Sequence, residues 1–327
     1  MKQFWREVGL AVVLGMLMPG IILNIVTYSS HQRTNILYEP EQTDPVAEKE
    51  ILIPVLYADG TVRQTELETY LLGVVLGEMP AEFEVEALKA QAVVARTYTL
   101  RAYEGKSKHD TFAVCTDPAC CQAYRRVEDY LAAGGNTDSV EKIRSAVRAT
   151  AGKVLTYGGE LIEATYFSCS GGMTEDALAV WGTDVPYLQS VDSPGEEQAA
   201  WFTDNVTFTD TQLRELLGLP AQSGAVQFEN LTFTNGGGVA ELSVDGTRFK
   251  GTEIRKLLEL RSTAFTVTRE GSKVIFHTRG FGHRVGMSQY GADAMAVNGC
   301  VFTEILQHYY PGTVLENRFI DKPAFLG

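Results

Sequence analysis

The sequence predicts a mixed α+β domain, with helices and antiparallel strands around a cleft, behind an N-terminal transmembrane helix. Three observations predict it. In some segments apolar residues recur at spacings of three and four; in others they form short runs bounded by glycine, asparagine or aspartate turns. These patterns interleave from residue 51 onward without an internal repeat. Ahead of them, residues 8–26 form a stretch that is apolar on every side.

That stretch is expected to be a membrane anchor. No charged residue stands between Glu7 and Arg33. As a helix, residues 8–26 would rise about 28 Å, enough to cross a hydrocarbon core. Pro19-Gly20 would kink it, which membrane helices tolerate. No A-x-A cleavage site follows Val26, so an uncleaved anchor is expected rather than a signal peptide. Lys2 and Arg6 precede the stretch, which leaves the N-terminus cytoplasmic and exports the rest. The predicted organisation is an anchor over 1–27, a polar extended linker over 28–50, and one domain over 51–327.

Within the domain, residues 51–56 and 61–64 read as strands joined by the Asp59-Gly60 turn. Leu67, Leu71, Val74 and Val75 predict a helix over 66–76. Pro80 disfavours helical geometry at Met79, so Glu78 falls at or just past the helix end. A second helix is predicted over 84–103, and its alanines permit close packing by other helices. Residues 105–136 read as a loop. A helix over 139–151 follows, stopped by Gly152. Residues 153–157 and 160–167 flank Gly158-Gly159 as a hairpin. Residues 193–225 are polar and mixed, with one helix over 211–217. Strands are expected over 226–234, 239–244, 265–268 and 273–277, and a helix over 250–258. A glycine-rich turn at 280–286 leads into helices over 288–296 and 303–309.

Composition narrows the function. The formal net charge of -13 argues against nucleic acid, whose phosphates attract basic faces. The five cysteines are an odd number, so an exported chain keeps at least one unpaired.

Glu78 is the candidate acid. A carboxyl set between two apolar helices loses solvation, which raises its pKa. A carboxylic acid still protonated near neutral pH can give its proton to a leaving oxygen, as glycosidic cleavage requires. Arg96, on the next helix, could hold a sugar, a carboxylate or Glu78 itself. Spacing alone leaves open that Glu78 merely caps a helix and that Arg96 is its structural partner. Ser168, Ser170, His283 and Gln289 read as polar lining or loop hydrogen bonding. No G-x-S-x-G elbow surrounds either serine, and no H-E-x-x-H zinc hydrolase motif occurs.

Several separated motifs closely resemble the SpoIID family of endospore-forming bacteria. They are Gly77-Glu78-Met79-Pro80, Glu86-Ala87-Leu88-Lys89-Ala90-Gln91-Ala92-Val93, Ala95-Arg96-Thr97-Tyr98, and Tyr166-Phe167-Ser168-Cys169-Ser170-Gly171-Gly172. Val185-Pro186-Tyr187-Leu188, the run from Gly280 to Ala292 that includes Gly282-His283-Arg284-Val285-Gly286, and His308-Tyr309-Tyr310-Pro311-Gly312 continue the same order. The resemblance implies a lytic transglycosylase, which cleaves the bond between N-acetylmuramic acid and N-acetylglucosamine and leaves a 1,6-anhydro end. That chemistry uses one carboxyl, where ordinary glycosidases use two. The family's catalytic glutamate falls on Glu78, and its glycan-cleft residues on Arg96 and Tyr187, with Ser168, His283 and Gln289 as further lining. Arg284 departs from the pattern, where glycine is common; it would add charge to the cleft or point to solvent. The resemblance also implies a place in the mother-cell membrane during engulfment. The partners it implies are peptidoglycan glycan strands, a cell-wall amidase or endopeptidase, and a membrane scaffold protein. The alternative is a non-catalytic glycan-binding activator of an amidase.

His109, Cys115, Cys120 and Cys121 cluster in the long loop, and imidazole with thiolates suits tetrahedral zinc. Some members of the resembled family hold zinc here through histidine and cysteine; Cys120 stands where histidine is expected. A structural zinc, a Cys115–Cys121 disulfide and free thiols all remain open. Cys169 and Cys300 read as buried small side chains.

Overall fold

The computed structural model describes residues 51–318. The predicted anchor and linker, and the last residues of the predicted domain, lie outside them. Among the described residues no helix is long and apolar enough to cross a membrane.

The described part is mixed α+β with small, mostly antiparallel sheets. Strands β1 (Leu52–Leu56) and β2 (Val62–Glu66) pair antiparallel across the Asp59-Gly60 turn. Helix α1 (Leu67–Glu78) starts on the Glu66 side chain, which accepts from the amides of Glu68 and Thr69 and so satisfies two free N–H groups of the first turn. It ends at Met79, held extended before Pro80 as the sequence requires. Helix α2 (Val85–Arg101) is the centre of the fold. Ala87, Ala90, Ala92 and Ala95 are fully buried. Their small side chains let α1, α4 (Thr137–Ala149), α8 (Gln289–Val297) and α9 (Phe302–Tyr309) pack around one axis.

The segment read as a long loop carries two elements the pattern hid. Strand β3 (Val114–Cys115) adds parallel to β1, and α3 (Val127–Ala132) packs near α1. The expected hairpin is shorter than its sequence suggests. Strand β4 (Lys153–Tyr157) meets β5 (Glu160–Leu161) across Gly158-Gly159, both at positive φ. The chain then leaves the hairpin, and β6 (Tyr166–Phe167) pairs in parallel with β13 (Met287–Ser288). A short helix, α5 (Ala177–Trp181), follows β6.

Residues 203–279 form a second layer with its own apolar core, including Leu213, Val244, Ile254, Val274 and Phe276. One sheet has the order β11 (Phe265–Glu270), β12 (Lys273–Arg279), β7 (Thr203–Thr209). The other runs β10 (Thr247–Lys250), β9 (Val239–Val244), β8 (Phe228–Phe233). Helices α6 (Asp210–Leu216) and α7 (Gly251–Leu257) cover them. The polar segment expected to hold only a helix therefore also holds β7, whose alternate residues are half-buried. The last strand, β14 (Val314–Asn317), closes against β4.

Candidate functional site

A cleft of about 790 Å³ runs past the end of α1. Glu78 lines it together with Tyr98, Lys108, Tyr166, Trp181, His283 and Gln289. Local backbone chemistry puts Glu78 there. Gly77 lets the chain at Ala123–Tyr124 approach α1 so closely that a Cβ would sit 2.9 Å from the Tyr124 nitrogen. That approach delivers the Ala123 N–H to Glu78 Oε1 at 2.6 Å. Lys142 of α4 donates to the carbonyls of Ala81 and Phe83 and fixes the turn between Glu78 and α2.

A relay of hydrogen bonds supports the carboxyl from behind. Thr99 of α2 donates to Gln122 Oε1 at 3.0 Å, and Gln122 Nε2 donates to the Tyr166 hydroxyl at 3.2 Å. Tyr166 then donates to Glu78 Oε1 at 2.9 Å. Both donors fall on Oε1. When the acid is neutral, two donors on Oε1 favour the proton on Oε2. Burial pushes the Glu78 carboxyl above the usual carboxylate range; the Ala123 N–H, Tyr166 and Gln289 pull it partly back. Gln289 is itself buried; its Nε2 is close enough to favour the Glu78 carboxylate but makes no hydrogen bond of ordinary geometry among the described residues. A buried amide donor without a partner is costly, and a ligand oxygen would satisfy it.

His283 and Ser168 line the cleft. Burial, with Arg255 and Lys108 adding to it, pushes the His283 imidazole down to about 4, so it is neutral at physiological pH. Its Nδ1 accepts from the Val285 N–H at 3.1 Å, and its ring packs between Phe167 and Trp181. Trp181 is 44% exposed and offers an indole face at the cleft wall. Tyr187 stands behind the wall rather than on it. Its hydroxyl accepts from the backbone N–H of Glu163, a lining residue, at 3.0 Å.

Two arginines are not where the sequence suggested. Arg96 was expected at the ligand, yet it is fully buried and absent from the cleft lining. Its guanidinium makes a two-point bond to Glu68, at 2.8 and 2.6 Å, and reaches the carbonyls of Lys153 and Val147. It ties α2 to α1, α4 and β4. Arg284 neither faces solvent nor charges the cleft. It is 2% exposed and ion-pairs with Glu175, which is 1% exposed. Tyr166, Gln122, Lys108 and Trp181 were not picked out from the sequence as site residues, and only Tyr166 lay inside a recognised motif.

The cysteine loop forms one wall of the cleft through Cys120 and Cys121. Strand β3 places Cys115. Asp117 then starts a tight turn, its carbonyl accepting from the amides of Cys120 and Cys121, which brings two adjacent thiols to one side. The ligand atoms of His109, Cys115, Cys120 and Cys121 all lie within 4.8 Å of one another. His109 Nε2 is 3.3 Å from Cys121 Sγ and 3.5 Å from Cys120 Sγ, and the two sulfurs are 3.9 Å apart. Tetrahedral zinc bond lengths set ligand atoms about 3.5–3.8 Å apart. A disulfide needs sulfurs at about 2 Å, and all five cysteines are free. Burial, and then the neighbouring thiols, push the Cys120 thiol up to about 12. A dication among them would reverse that preference. The residues fit zinc.

The fold and site define a two-layer α+β protein with a supported acid in an open cleft, walled by a histidine–cysteine loop. The SpoIID family model, "Stage II sporulation protein", matches residues 58–157. The chain is 34% identical to stage II sporulation protein D of Bacillus subtilis (strain 168), over 98% of each chain. It is 36% identical to stage II sporulation protein D of Bacillus amyloliquefaciens, over 89% of this chain and 87% of that one. It is also 31% identical to the amidase enhancer of Bacillus subtilis (strain 168), over 75% of this chain and 40% of that one. The chain belongs to the SpoIID family of sporulation proteins.

Proposed function

We propose that this protein is a lytic transglycosylase that cleaves peptide-free peptidoglycan strands, with Glu78 as acid and then base. The observation that carries the reading is the carboxyl itself: on the cleft lining, raised by burial, and held on one oxygen by Ala123 and Tyr166. In the first step Oε2 gives its proton to the glycosidic oxygen. The bond from C1 of N-acetylmuramic acid to O4 of N-acetylglucosamine breaks, and the sugar hydroxyl leaves. Glu78 is now a carboxylate, stabilised by the two donors on Oε1. It takes the proton from the muramoyl 6-hydroxyl, whose oxygen closes on C1 to form the 1,6-anhydro ring. No water enters. Trp181 supplies a face for a sugar ring, and Gln289 Nε2 a donor for a sugar oxygen.

Glu163 is a second carboxylate on the cleft wall, 3.5 Å from Arg101. Two carboxylates are the equipment of a hydrolase. Product analysis separates the mechanisms. Peptide-free strands digested in ¹⁸O-water should give anhydro-muramoyl ends without the heavy isotope in the mass spectrum. Reducing ends carrying ¹⁸O would overturn the transglycosylase reading.

The zinc in this reading is structural. His109, Cys115, Cys120 and Cys121 would hold it with four protein ligands, so it has no open position and serves to fix the loop. The loop runs directly into Gln122 and Ala123, which support Glu78. Purified protein is expected to carry one zinc per chain by elemental analysis. Chelation, or Cys121→Ser, should release it and open residues 107–123 to proteolytic nicking. Full protection of the loop in metal-free protein would count against the assignment.

In this reading the apolar residues 8–26 serve as a single-pass anchor, with the domain outside the cytoplasm on the mother-cell membrane, facing the intermembrane space. An amidase or endopeptidase that strips stem peptides, and a membrane scaffold, are the expected partners. A second reading has one observation in its favour, the similarity to a protein named amidase enhancer. In it the cleft binds glycan and activates an amidase without cutting.

A further inference from the structure

The described residues hold a second groove, of about 540 Å³, that the proposed reaction does not use. It is lined by α5 with its flanking residues, 176–182, and by the end of β8 with its turn, 233–235; β9, Lys250 and the start of α7 complete it. One buried carboxylate fastens the first two parts together. Glu175, the residue before Asp176, is 1% exposed. It accepts from the Thr234 hydroxyl at 2.8 Å, the Gly238 N–H at 2.9 Å and Arg284 Nη1 at 3.1 Å. The groove is therefore preformed, so a ligand loses little affinity to ordering it.

Its surface suits sugar rings. Leu178, Trp181 and Phe233 cluster along it and stay exposed, a grouping of apolar side chains that a ligand would cover. Polar groups sit among them. Asp176 Oδ1 accepts from the Ala179 N–H at 2.7 Å, and its second oxygen can accept from a sugar hydroxyl. Asn235, exposed in the turn, offers both a donor and an acceptor. Lys250 offsets Asp176, and Arg248 pairs with Glu241, so the lining favours neither an anion nor a cation. Trp181 lines this groove and the cleft of Glu78 alike. A glycan strand is a polymer, so a strand bound across Glu78 has to leave the cleft over its rim. At Trp181 the neighbouring surface is this groove.

We propose that the groove holds further sugar residues of the same strand, past Trp181, so that the protein grips long strands more tightly than short ones. The inference rests on the glycan-cleaving reading and adds to it a second binding site on the sheet layer.

Strand length separates the two sites. Full-length protein in detergent, as wild type, Leu178→Ser with Phe233→Ser, and Phe233→Tyr, is assayed on long peptide-free strands and on the tetrasaccharide. The tetrasaccharide has one bond from N-acetylmuramic acid to N-acetylglucosamine and leaves two sugars on either side of Glu78. Leu178 and Phe233 are 56% and 55% exposed, so truncating them spares the fold. The double variant should lose about three- to tenfold in kcat/KM on long strands, mainly through KM, and keep the wild-type value on the tetrasaccharide. Phe233→Tyr keeps a ring and should keep the long-strand advantage. Co-sedimentation with long strands, in a Glu78→Gln background so that nothing is cut, should show the same weakening. If the double variant keeps the wild-type preference for length, or lowers both substrates equally, the groove holds no sugar and the proposal is overturned. A loss confined to amidase activation would overturn it too, in favour of a protein occupant. Wild-type protein that neither cuts nor binds the strands would instead sink the glycan reading itself.

Discussion

Glu78→Gln is expected to abolish cleavage while leaving the cleft intact. The amide keeps the shape of the side chain, and its carbonyl can still accept from Ala123 and Tyr166. It has no proton to give and cannot take one back. General acid–base catalysis typically contributes 10²–10⁴-fold, and in the proposed mechanism this carboxyl serves both steps, so a fall of about 10³–10⁴ in kcat is expected. Binding of peptide-free strands in a pull-down should survive. A purified variant that releases anhydro-muropeptides at the normal rate would remove Glu78 from the mechanism. If amidase activation persists in that variant and wild type releases no fragments, the binding-module reading gains instead.

The same carboxyl sets the pH behaviour. Its folded pKa lies above the unfolded value because burial disfavours the charge. The proposed mechanism needs the acid form at its first step, so kcat should fall as pH rises through that raised pKa. Stability follows the same sign. A raised carboxyl stabilises the fold below the unfolded value of about 4.3 and loses that contribution as pH climbs through the folded one. Glu78→Gln does not titrate. Its melting temperature relative to wild type should therefore improve from acid toward neutral pH. A difference that stays flat across that range would mean the carboxyl is not strained by burial.

How legible the molecule was depends on how local each cause is. Helix α1 and the position of Glu78 could be read because Leu67, Leu71, Val74, Val75 and Pro80 act within one short stretch. The alanines of α2 announced a crowded helix, and the helix is central. The relay behind Glu78 was hidden because it is built from distant pieces. Tyr166 is held by a two-residue strand whose parallel partner, β13, is 121 residues away in sequence (Tyr166 opposite Met287), a pairing no periodicity can show. Strands β3 and β6 are too short to carry an alternating pattern, and β7 is too polar. Arginine was the least legible residue. Arg96 looked like a ligand-binding cation and Arg284 like an added cleft charge or a solvent-facing one, since the one-letter code does not say which carboxylate waits inside the fold. Lys108, the cation that does face the cleft, sat unremarked beside the more conspicuous His109.

Arg284 carries the largest expected effect on stability. Its Nε donates to the Ser170 carbonyl at 2.7 Å, and its Nη2 to the carbonyls of Met173 and Gly236, each at 2.7 Å. Its Nη1 meets Glu175 Oε1 at 3.1 Å. The same Glu175 oxygen accepts from the Thr234 hydroxyl and the Gly238 N–H, so one ion pair joins the cleft-side loop at 170–175 to the β8–β9 turn of the second layer. Arg284→Ala would strand a buried carboxylate and three carbonyls. Removing one partner of a buried pair typically destabilises by about 3–5 kcal/mol, and that is the loss expected in denaturant unfolding. The backbone adds a finer test. Arg284 has φ of 65°, a left-handed value that favours glycine. Arg284→Gly loses the same contacts but relieves that conformation, so it should be about 1 kcal/mol less damaging than Arg284→Ala. Arg284→Met combined with Glu175→Gln, which removes both charges, should recover part of the loss. If Arg284→Ala unfolds at the wild-type denaturant midpoint, the pair does not join the layers in solution, and the second layer must be held by its apolar contacts alone.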